Sequence, residues 1–451
     1  MSTDRLVVIG GDAAGMTAAS QARRRSKDLQ IVAMEKGRYV SYAACGIPYY
    51  VGGIVDGFER LLVRSPEEFR SKQSIDARVR HEVLQIRPQA GKVLVRDLDS
   101  HREYEEPYDQ LLIATGASAV RPDLPGIDAQ GIFGVSSVEQ ATELRDFLEH
   151  QKPKRAVIVG GGYIGLELAE SFTRWGLDIS IIGRAPRLLR SIDPEMSDLV
   201  SEAMTKMGID LYLAEEVTAF EEQAGRVAAV VTEKRTLPAD LVLLAMGFKP
   251  NTDLAREAGL ALGIKDTIVT DDHMRTPLEH IWAAGDCVQA NHLVDGRPYW
   301  TSLATISSKQ GRVAGTNITG GDASFPGTLG TSITKAGPVE IARTGLQETD
   351  LADGDVAFTA AKIDSITQPG YMPDNEPMAV KLLAEKSTGR LLGGQIVGGA
   401  GAAMRINVIA TALQAGLAVD QIHDLDLAYA PPFSTVWDPV VIAARKLCDQ
   451  C

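Results

Sequence analysis

The chain has 451 residues, 45% hydrophobic and 23% charged, with a formal net charge of −13; that length exceeds one hydrophobic core and predicts two or three domains. The acidic balance argues against nonspecific nucleic-acid binding while allowing local basic clusters for anionic cofactors, and no apolar run reaches the roughly 18 residues of a membrane span. Met1–Arg5 runs directly into a strand without room for a secretory leader, and four cysteines do not make a disulfide framework, so a cytoplasmic protein with no nucleic-acid or membrane partner is expected.

The first apolar strand, Leu6-Val7-Val8-Ile9, ends on Gly10-Gly11-Asp12-Ala13-Ala14-Gly15, and helix formers run from Ala14 to Arg25. Gly10 permits a tight turn, Gly15 close helix–strand packing, and the helix N-terminus can face a pyrophosphate. The middle position carries Asp12 where the motif has Gly, so the turn taken alone is a weak match. The next strand, Leu29 to Met34, delivers Glu35, twenty residues after Gly15. That spacing suits an acid that accepts ribose hydroxyls.

Ten residues later stands Cys45, within Ser41-Tyr42-Ala43-Ala44-Cys45-Gly46-Ile47-Pro48-Tyr49-Tyr50. A thiol there would lie against the isoalloxazine of a bound flavin. The fifth position beyond it is Tyr50, so Cys45 has no internal disulfide partner of the two-cysteine kind, and its redox partner is flavin, substrate or oxidant. A helix entered at Cys45 predicts a lowered thiol pKa.

A second strand–turn–helix unit begins at Arg155, with Gly160-x-Gly162-x-x-Gly165 opening a helix that carries Leu166, Leu168, Ala169 and Phe172. Its second strand, Asp178 to Ile182, ends on Gly183-Arg184 without an acid. An acid there would bind the 2′-hydroxyl of NADH; Arg184, with Arg187 and Arg190 nearby, can pair with the 2′-phosphate of NADPH. A solvated arginine loop is the alternative, so NADPH is favoured and NADH stays open.

Two buried strands end on Gly, at Thr115-Gly116 and at Gly247, and the strand Ile281-Trp282-Ala283 leads into Gly285-Asp286. Asp286 suits the ribityl chain of a flavin. Gly10, Glu35, Thr115, Gly116, Gly285 and Asp286 together point to FAD, with Ala14 and Lys36 as further contacts. Tyr163, Ile164 and Gly247 join the nicotinamide-nucleotide set. From about Gly327 the Gly-rich turns stop. Alternating stretches at Met378–Leu383 and Leu391–Val397 predict an antiparallel sheet, followed by a helix from Met404 to Ala415.

The expected architecture is α/β, with two Rossmann-like dinucleotide-binding domains and a C-terminal α+β domain. The first nucleotide domain spans 1–118 and resumes at 248–326, the second spans 119–247, and the third covers 327–451. Cys287 reads as buried filler. Cys448 and Cys451 form a CxxC that can close a disulfide, shuttle electrons, hold a soft metal or simply fray. With no other Cys/His cluster, no structural metal site is expected. Tyr371, in Pro369-Gly370-Tyr371-Met372-Pro373, and Tyr429, before Pro431-Pro432, are candidate functional phenols.

Taken together, Tyr42-Ala43-Ala44-Cys45-Gly46-Ile47-Pro48-Tyr49-Tyr50 and Tyr429-Ala430-Pro431-Pro432 resemble the pyridine nucleotide-disulfide oxidoreductases across essentially the whole chain, and within them the single-cysteine coenzyme A-disulfide reductases. The resemblance implies FAD, a reduced nicotinamide donor, coenzyme A as a thiol ligand, and a homodimer formed through a C-terminal dimerisation domain. It makes Cys45 the nucleophile and places Tyr429 and Tyr371 at the partner subunit's cysteine. Thr17, Gln21, Arg24 and Ser41 match coenzyme A contacts. The chain departs from the pattern at Ala44, where Asn is frequent, at Ser308 and Trp437, where some members have His or Lys, and at Asp12-Ala13, near which related oxidases and peroxidases use His. The implied activity is NAD(P)H-dependent reduction of a disulfide, persulfide or polysulfide through Cys45. The alternative is an NAD(P)H oxidase or peroxidase whose cysteine cycles through sulfenic acid. A flavin-bound interaction protein is a third reading.

Overall fold

The computed structural model describes residues 4–352, 354 and 356–451; Met1–Thr3, on which the reading of the N-terminus partly rests, lie outside them. The first Gly-rich turn belongs to a five-stranded sheet in the order Ile281–Ala283, Gln110–Ile113, Arg5–Ile9, Gln30–Glu35, Ile75–Val79. Every pairing in it is parallel, with Val7 opposite both Val32 and Leu111. Strands buried on both faces read as continuous apolar runs, which is why Leu6 to Ile9 shows no alternation. The strand Ile281–Ala283 pairs with Gln110–Ile113 after a long excursion of the chain.

That excursion contains a second five-stranded parallel sheet, ordered Asp210–Leu213, Asp178–Gly183, Arg155–Val159, Leu241–Leu244, Ile132–Gly134. Both nucleotide units therefore carry their Gly-rich turn at the carboxyl end of a central strand, where an open parallel sheet binds ligands. In the first unit the helix Ala13–Arg25 packs against the helix Ala304–Ile318. A Cβ on Gly311 would lie 2.3 Å from the Ala14 carbonyl oxygen, and one on Gly315 2.4 Å from that of Ala18. The two helices approach backbone to backbone because these positions are small.

The third sheet is antiparallel, ordered Ser332–Ala336, Val339–Gly345, Leu391–Gly398, Pro377–Glu385, Phe358–Ile366. Its two strands read as alternating are buried along almost their whole length. One face takes the helices Ile406–Ala415 and Pro439–Cys448, and the helix Pro194–Lys206 of the second nucleotide unit also packs on Leu391–Gly398. Lys381, 1% exposed, projects to that contact. Its Nζ lies 2.8 Å from Asp193 Oδ2 and 2.7 Å from Glu348 Oε1, and pairs also with Glu195. The helix expected from Met404 starts at Ile406, after a short 3-10 turn. Among the described residues, no helix is long and apolar enough to cross a membrane.

Candidate functional site

Both Gly-rich turns are shaped so that only glycine fits their ends. Gly10 has φ +113°, and a Cβ there would sit 2.0 Å from the Ala114 carbonyl oxygen; at Gly15 it would sit 2.0 Å from that of Gly10. Gly160 (φ +119°) and Gly165 repeat this, 2.1 Å from the Ala245 oxygen and 2.2 Å from the Gly160 oxygen. A Cβ on Gly162 would meet nothing within 4 Å, which leaves an open approach at the start of the helix Tyr163–Arg174. In the first turn Asp12 makes no side-chain cap to its own helix and instead accepts the Tyr42 N–H at 3.2 Å. The first-turn amides of both helices thus lack a side-chain cap, the arrangement that receives an anionic pyrophosphate.

The remaining flavin candidates gather around the first turn. Glu35 accepts from the amides of Gly11 (2.8 Å) and Gly37 (2.7 Å), which fixes its carboxylate at the end of the strand Gln30–Glu35. Lys36 beside it is exposed. Thr115 donates to the Asn251 carbonyl, and Gly116 adopts φ +65° with open space where a Cβ would stand. The Gly285 N–H donates to Gln310 Oε1 at 2.8 Å, leaving the buried Gln310 Nε2 without a partner. Asp286 accepts from the hydroxyls of Ser302 and Ser307. The orphaned buried Gln310 amide, the open Gly116 and the uncapped start of the helix Ala13–Arg25 together fit an extended dinucleotide.

Around the second turn, Tyr163 bonds Ser332 at 2.8 Å and Ser191 at 3.1 Å, while Ile164 packs into the core. Gly247 (φ +99°) is open. Arg184 is well exposed, with Glu216 Oε1 3.8 Å from its Nη1. Arg187, expected as a second phosphate partner, is 3.3 Å from Asp198 instead.

Cys45 lies within a 3-10 turn, Ala44–Gly46, ahead of the five-residue helix Ile47–Val51. The turn is tied to the first Gly-rich loop by Ser41 N–H to Gly11 O (2.8 Å) and by the Tyr42–Asp12 bond. Ser41 itself is held at φ +51°, a strained setting for a non-glycine residue. Cys45 is exposed to a cleft of about 480 Å³ whose walls include Asp12, Thr17, Arg24, Ser41, Arg64 and Ser308. Three of the four expected substrate contacts therefore share a wall with the thiol. Gln21 stands behind them: it accepts from Arg24 at 2.8 Å and donates to Thr316 at 3.0 Å, so it orients the guanidinium.

The electrostatics correct one expectation. The Cys45 thiol is pushed up, first by desolvation and then by the charges of Glu167, Asp12 and Asp286. A short 3-10 turn and a five-residue helix supply too little aligned dipole to outweigh three carboxylates. Asp12 is itself raised to about 7, chiefly by burial, with Glu35 and Asp286 adding to it. Glu167, which accepts from Thr334 at 2.7 Å, is also raised by burial.

The two phenols meet each other. Tyr429 is 44% exposed and Tyr371 72%, and the nearby Tyr371 phenol raises Tyr429. They share the C-terminal unit's surface with exposed Phe433, Val436 and Trp437. The cleft walls of the same chain run from Asp12 to Ser308 and include neither tyrosine. Cys287 is buried, beside the carbonyls of Ile113 and Ala284. Cys448 and Cys451 are free thiols, and no cluster of metal-ligating side chains occurs among the described residues. Sequence reasoning missed Arg64, which carries no motif and stacks over Phe69 at 5.8 Å. Asp12 entered only as a departure from the motif, at the middle glycine and near the position where related oxidases use His.

Residues 4–311 match the model of the pyridine nucleotide-disulphide oxidoreductase family, and residues 331–439 that of its dimerisation domain. The chain is 41% identical over 443 residues to an NAD(P)H sulfur oxidoreductase (CoA-dependent) of Pyrococcus abyssi, covering 98% of each protein. It superposes with TM-score 0.95 and 36% identity on an NAD-dependent persulfide reductase of A. fulgidus, covering 99% of this chain and 83% of that one. An engineered water-forming NADPH oxidase, derived from the water-forming NADH oxidase of Lactobacillus brevis, gives TM-score 0.94 at 28% identity over 99% and 98% of the two chains. Its five substitutions include aspartate to alanine, arginine at the next position, and a second arginine six positions later. The present chain belongs to the pyridine nucleotide-disulphide oxidoreductase family.

Proposed function

We propose that this family member is a homodimeric, FAD-dependent NAD(P)H oxidoreductase that reduces a small disulfide, persulfide or polysulfide through Cys45. The carrying observation is the cleft that joins a lone thiol to Thr17, Arg24, Ser41 and Arg64 beside the first nucleotide turn. Two guanidiniums and two hydroxyls next to a single sulfur suit a thiol substrate with an anionic body, of which coenzyme A is one. The name of the Pyrococcus relative supports the same class. Gly10, Ala14, Gly15, Glu35, Lys36, Thr115, Gly116, Gly285 and Asp286 would hold FAD, which supplies, when bound, a two-electron relay between dihydronicotinamide and sulfur.

Gly160, Gly162, Tyr163, Ile164, Gly165 and Gly247 would receive the nicotinamide nucleotide. Gly183, Arg184 and Arg190 reproduce, at the same spacing, the acid-free position and the two arginines of the engineered NADPH oxidase. That pattern favours NADPH, with NADH usable. Cys45 attacks the substrate sulfur and forms a mixed disulfide, which two electrons return to a Cys45 thiol and a free thiol product. The exposed Tyr371–Tyr429 pair lies on the unit that matches the dimerisation domain, away from its own chain's cleft. Tyr429 of the partner subunit would donate a hydrogen bond to the departing thiolate, making each site the property of two subunits.

The structural likeness to a water-forming oxidase supports a second reading, in which Cys45 becomes a sulfenic acid and the acceptor is oxygen or peroxide. Anaerobic reduction with NADPH, followed by rapid mixing with coenzyme A disulfide, polysulfide, peroxide or oxygen, separates the two. Fast reoxidation by a sulfur acceptor is expected. Reoxidation by oxygen or peroxide alone would remove the sulfur reading.

A further inference from the structure

Resting on the disulfide-reductase reading, we propose that Asp12 is the general base that takes the Cys45 proton as the sulfur attacks its substrate. Asp12 occupies the position at which the Gly-rich motif has its middle glycine, so a side chain there has to be accommodated. It neither caps its helix nor pairs with a cation; it turns to the Tyr42 N–H, 3.2 Å away, in the segment that leads to Cys45. The successive bonds Ala44 N–H to Tyr42 O (3.1 Å) and Gly46 N–H to Ala43 O (2.8 Å) make that segment a stiff turn. Asp12 and Cys45 therefore face one cleft from two anchored supports.

The chemistry requires such a group. Only the thiolate attacks sulfur, and desolvation at the cleft wall together with three neighbouring carboxylates disfavours that form at Cys45. Asp12, raised to about 7, is matched to accept a proton near neutrality. The groups acting on it are the backbone amides of Tyr42 and Ala13 and the carboxylates of Glu35 and Asp286, with Cys45 and the guanidiniums of Arg24 and Arg64 on the same cleft wall. In the step, the Cys45 S–H bond and the substrate S–S bond break. A Cys45–substrate S–S bond forms, the proton moves to Asp12, and the electron pair leaves on the released thiolate. No oxidant beyond the disulfide is needed. Glu167 acts on the thiol from the second nucleotide unit, but it is held by Thr334 and is not part of the cleft wall.

The test uses the flavin-loaded dimer carrying C448S and C451S, reacted with 4,4′-dithiodipyridine without any nicotinamide; Cys45→Ser supplies the blank. The wild-type rate is expected to rise with pH about a midpoint near 7. Asp12→Asn keeps the acceptor for the Tyr42 N–H. It is expected to lose the rise and to slow exchange at pH 7 by about 10²-fold, whereas Glu167→Gln keeps the rise. A purely electrostatic Asp12 predicts the opposite sign, because removing its charge lowers the thiol pKa and speeds exchange. Asp12→Asn that reacts as fast as wild type, or faster, overturns the proposal, as does loss of the rise in Glu167→Gln. Bound-flavin content and Asp12→Glu, which is expected to restore the pH-dependent rise, separate misfolding from lost base. Because the assay reads only thiol exchange, it stands even if NADPH-driven turnover with every sulfur acceptor fails, which would sink the functional reading alone.

Discussion

Lys381→Met tests how the second nucleotide unit is held against the C-terminal sheet. Lys381 is 1% exposed and its partner Asp193 is fully buried, whereas Glu195 and Glu348 have side chains 44% and 40% exposed. Once the ammonium is removed, the two glutamates can turn to water, and Asp193 cannot. Breaking a buried pair costs about 3–5 kcal/mol because the remaining charge is uncompensated. Asp193 keeps donors from Gln395 Nε2 (2.7 Å) and the Glu348 N–H (2.9 Å), which places the expected loss near the lower end. A destabilisation of about 3 kcal/mol, roughly a 10²-fold shift in the opening equilibrium, is expected in urea titrations. It should be accompanied by faster hydrogen exchange in the helix Pro194–Lys206. Adding Asp193→Asn should recover most of it. The partners raise the Lys381 pKa, so the contribution is complete below the usual lysine range and fades as pH climbs through the raised value. An unchanged urea midpoint in Lys381→Met, or a double variant no better than the single one, would refute this reasoning.

Three further outcomes follow from the proposed function. Cys45→Ser should still bleach its flavin with NADPH while losing disulfide reduction by several orders of magnitude, since a hydroxyl cannot replace the thiolate; near wild-type turnover in steady-state assays would remove the mechanism. Arg184→Glu exchanges an exposed pair of small worth for repulsion of a phosphate. The NADPH/NADH ratio of kcat/KM should fall by about tenfold or more, a single charged hydrogen bond being worth about 1.5–3 kcal/mol, and a constant ratio would free Arg184 of that role. Tyr429→Phe should slow disulfide reduction and spare flavin bleaching. Mixing it with Cys45→Ser should restore activity in heterodimers, one of whose two sites carries neither lesion, and inactive heterodimers would assign Tyr429 to its own subunit.

Much of the fold was legible because its signals are local. Gly10, Gly15, Gly160 and Gly165 mark crossings where a Cβ would strike a backbone oxygen, and such crossings dictate residue type at fixed spacing. Continuous apolar runs marked the parallel strands, and the expected helix start at Ala14 differs from the observed one by a single residue. The alternation read into Met378–Leu383 marked an antiparallel strand, as found, but said nothing of burial, which is nearly complete because helices and the second nucleotide unit together cover the sheet.

The site was legible where backbone geometry dictates it and opaque where side chains converge from distant segments. Cys45, Glu35 and Asp286 sit at strand ends or turns whose spacing can be read directly. Arg64 joins the cleft through a loop without a motif, Gln21 turns from the substrate to brace Arg24, and Asp12 faces Tyr42 where a helix cap would ordinarily form. The pKa of Cys45 reversed its expected direction for the same reason. A helix terminus is a property of neighbouring residues, whereas Glu167 and Asp286 reach the thiol only after separate segments have packed. Sequence by itself determined the two nucleotide folds, the lone cysteine and its place beside the first of them. Tertiary structure alone decided which charges surround that sulfur, since electrostatic energy depends on distance and burial across segments that sequence spacing does not measure.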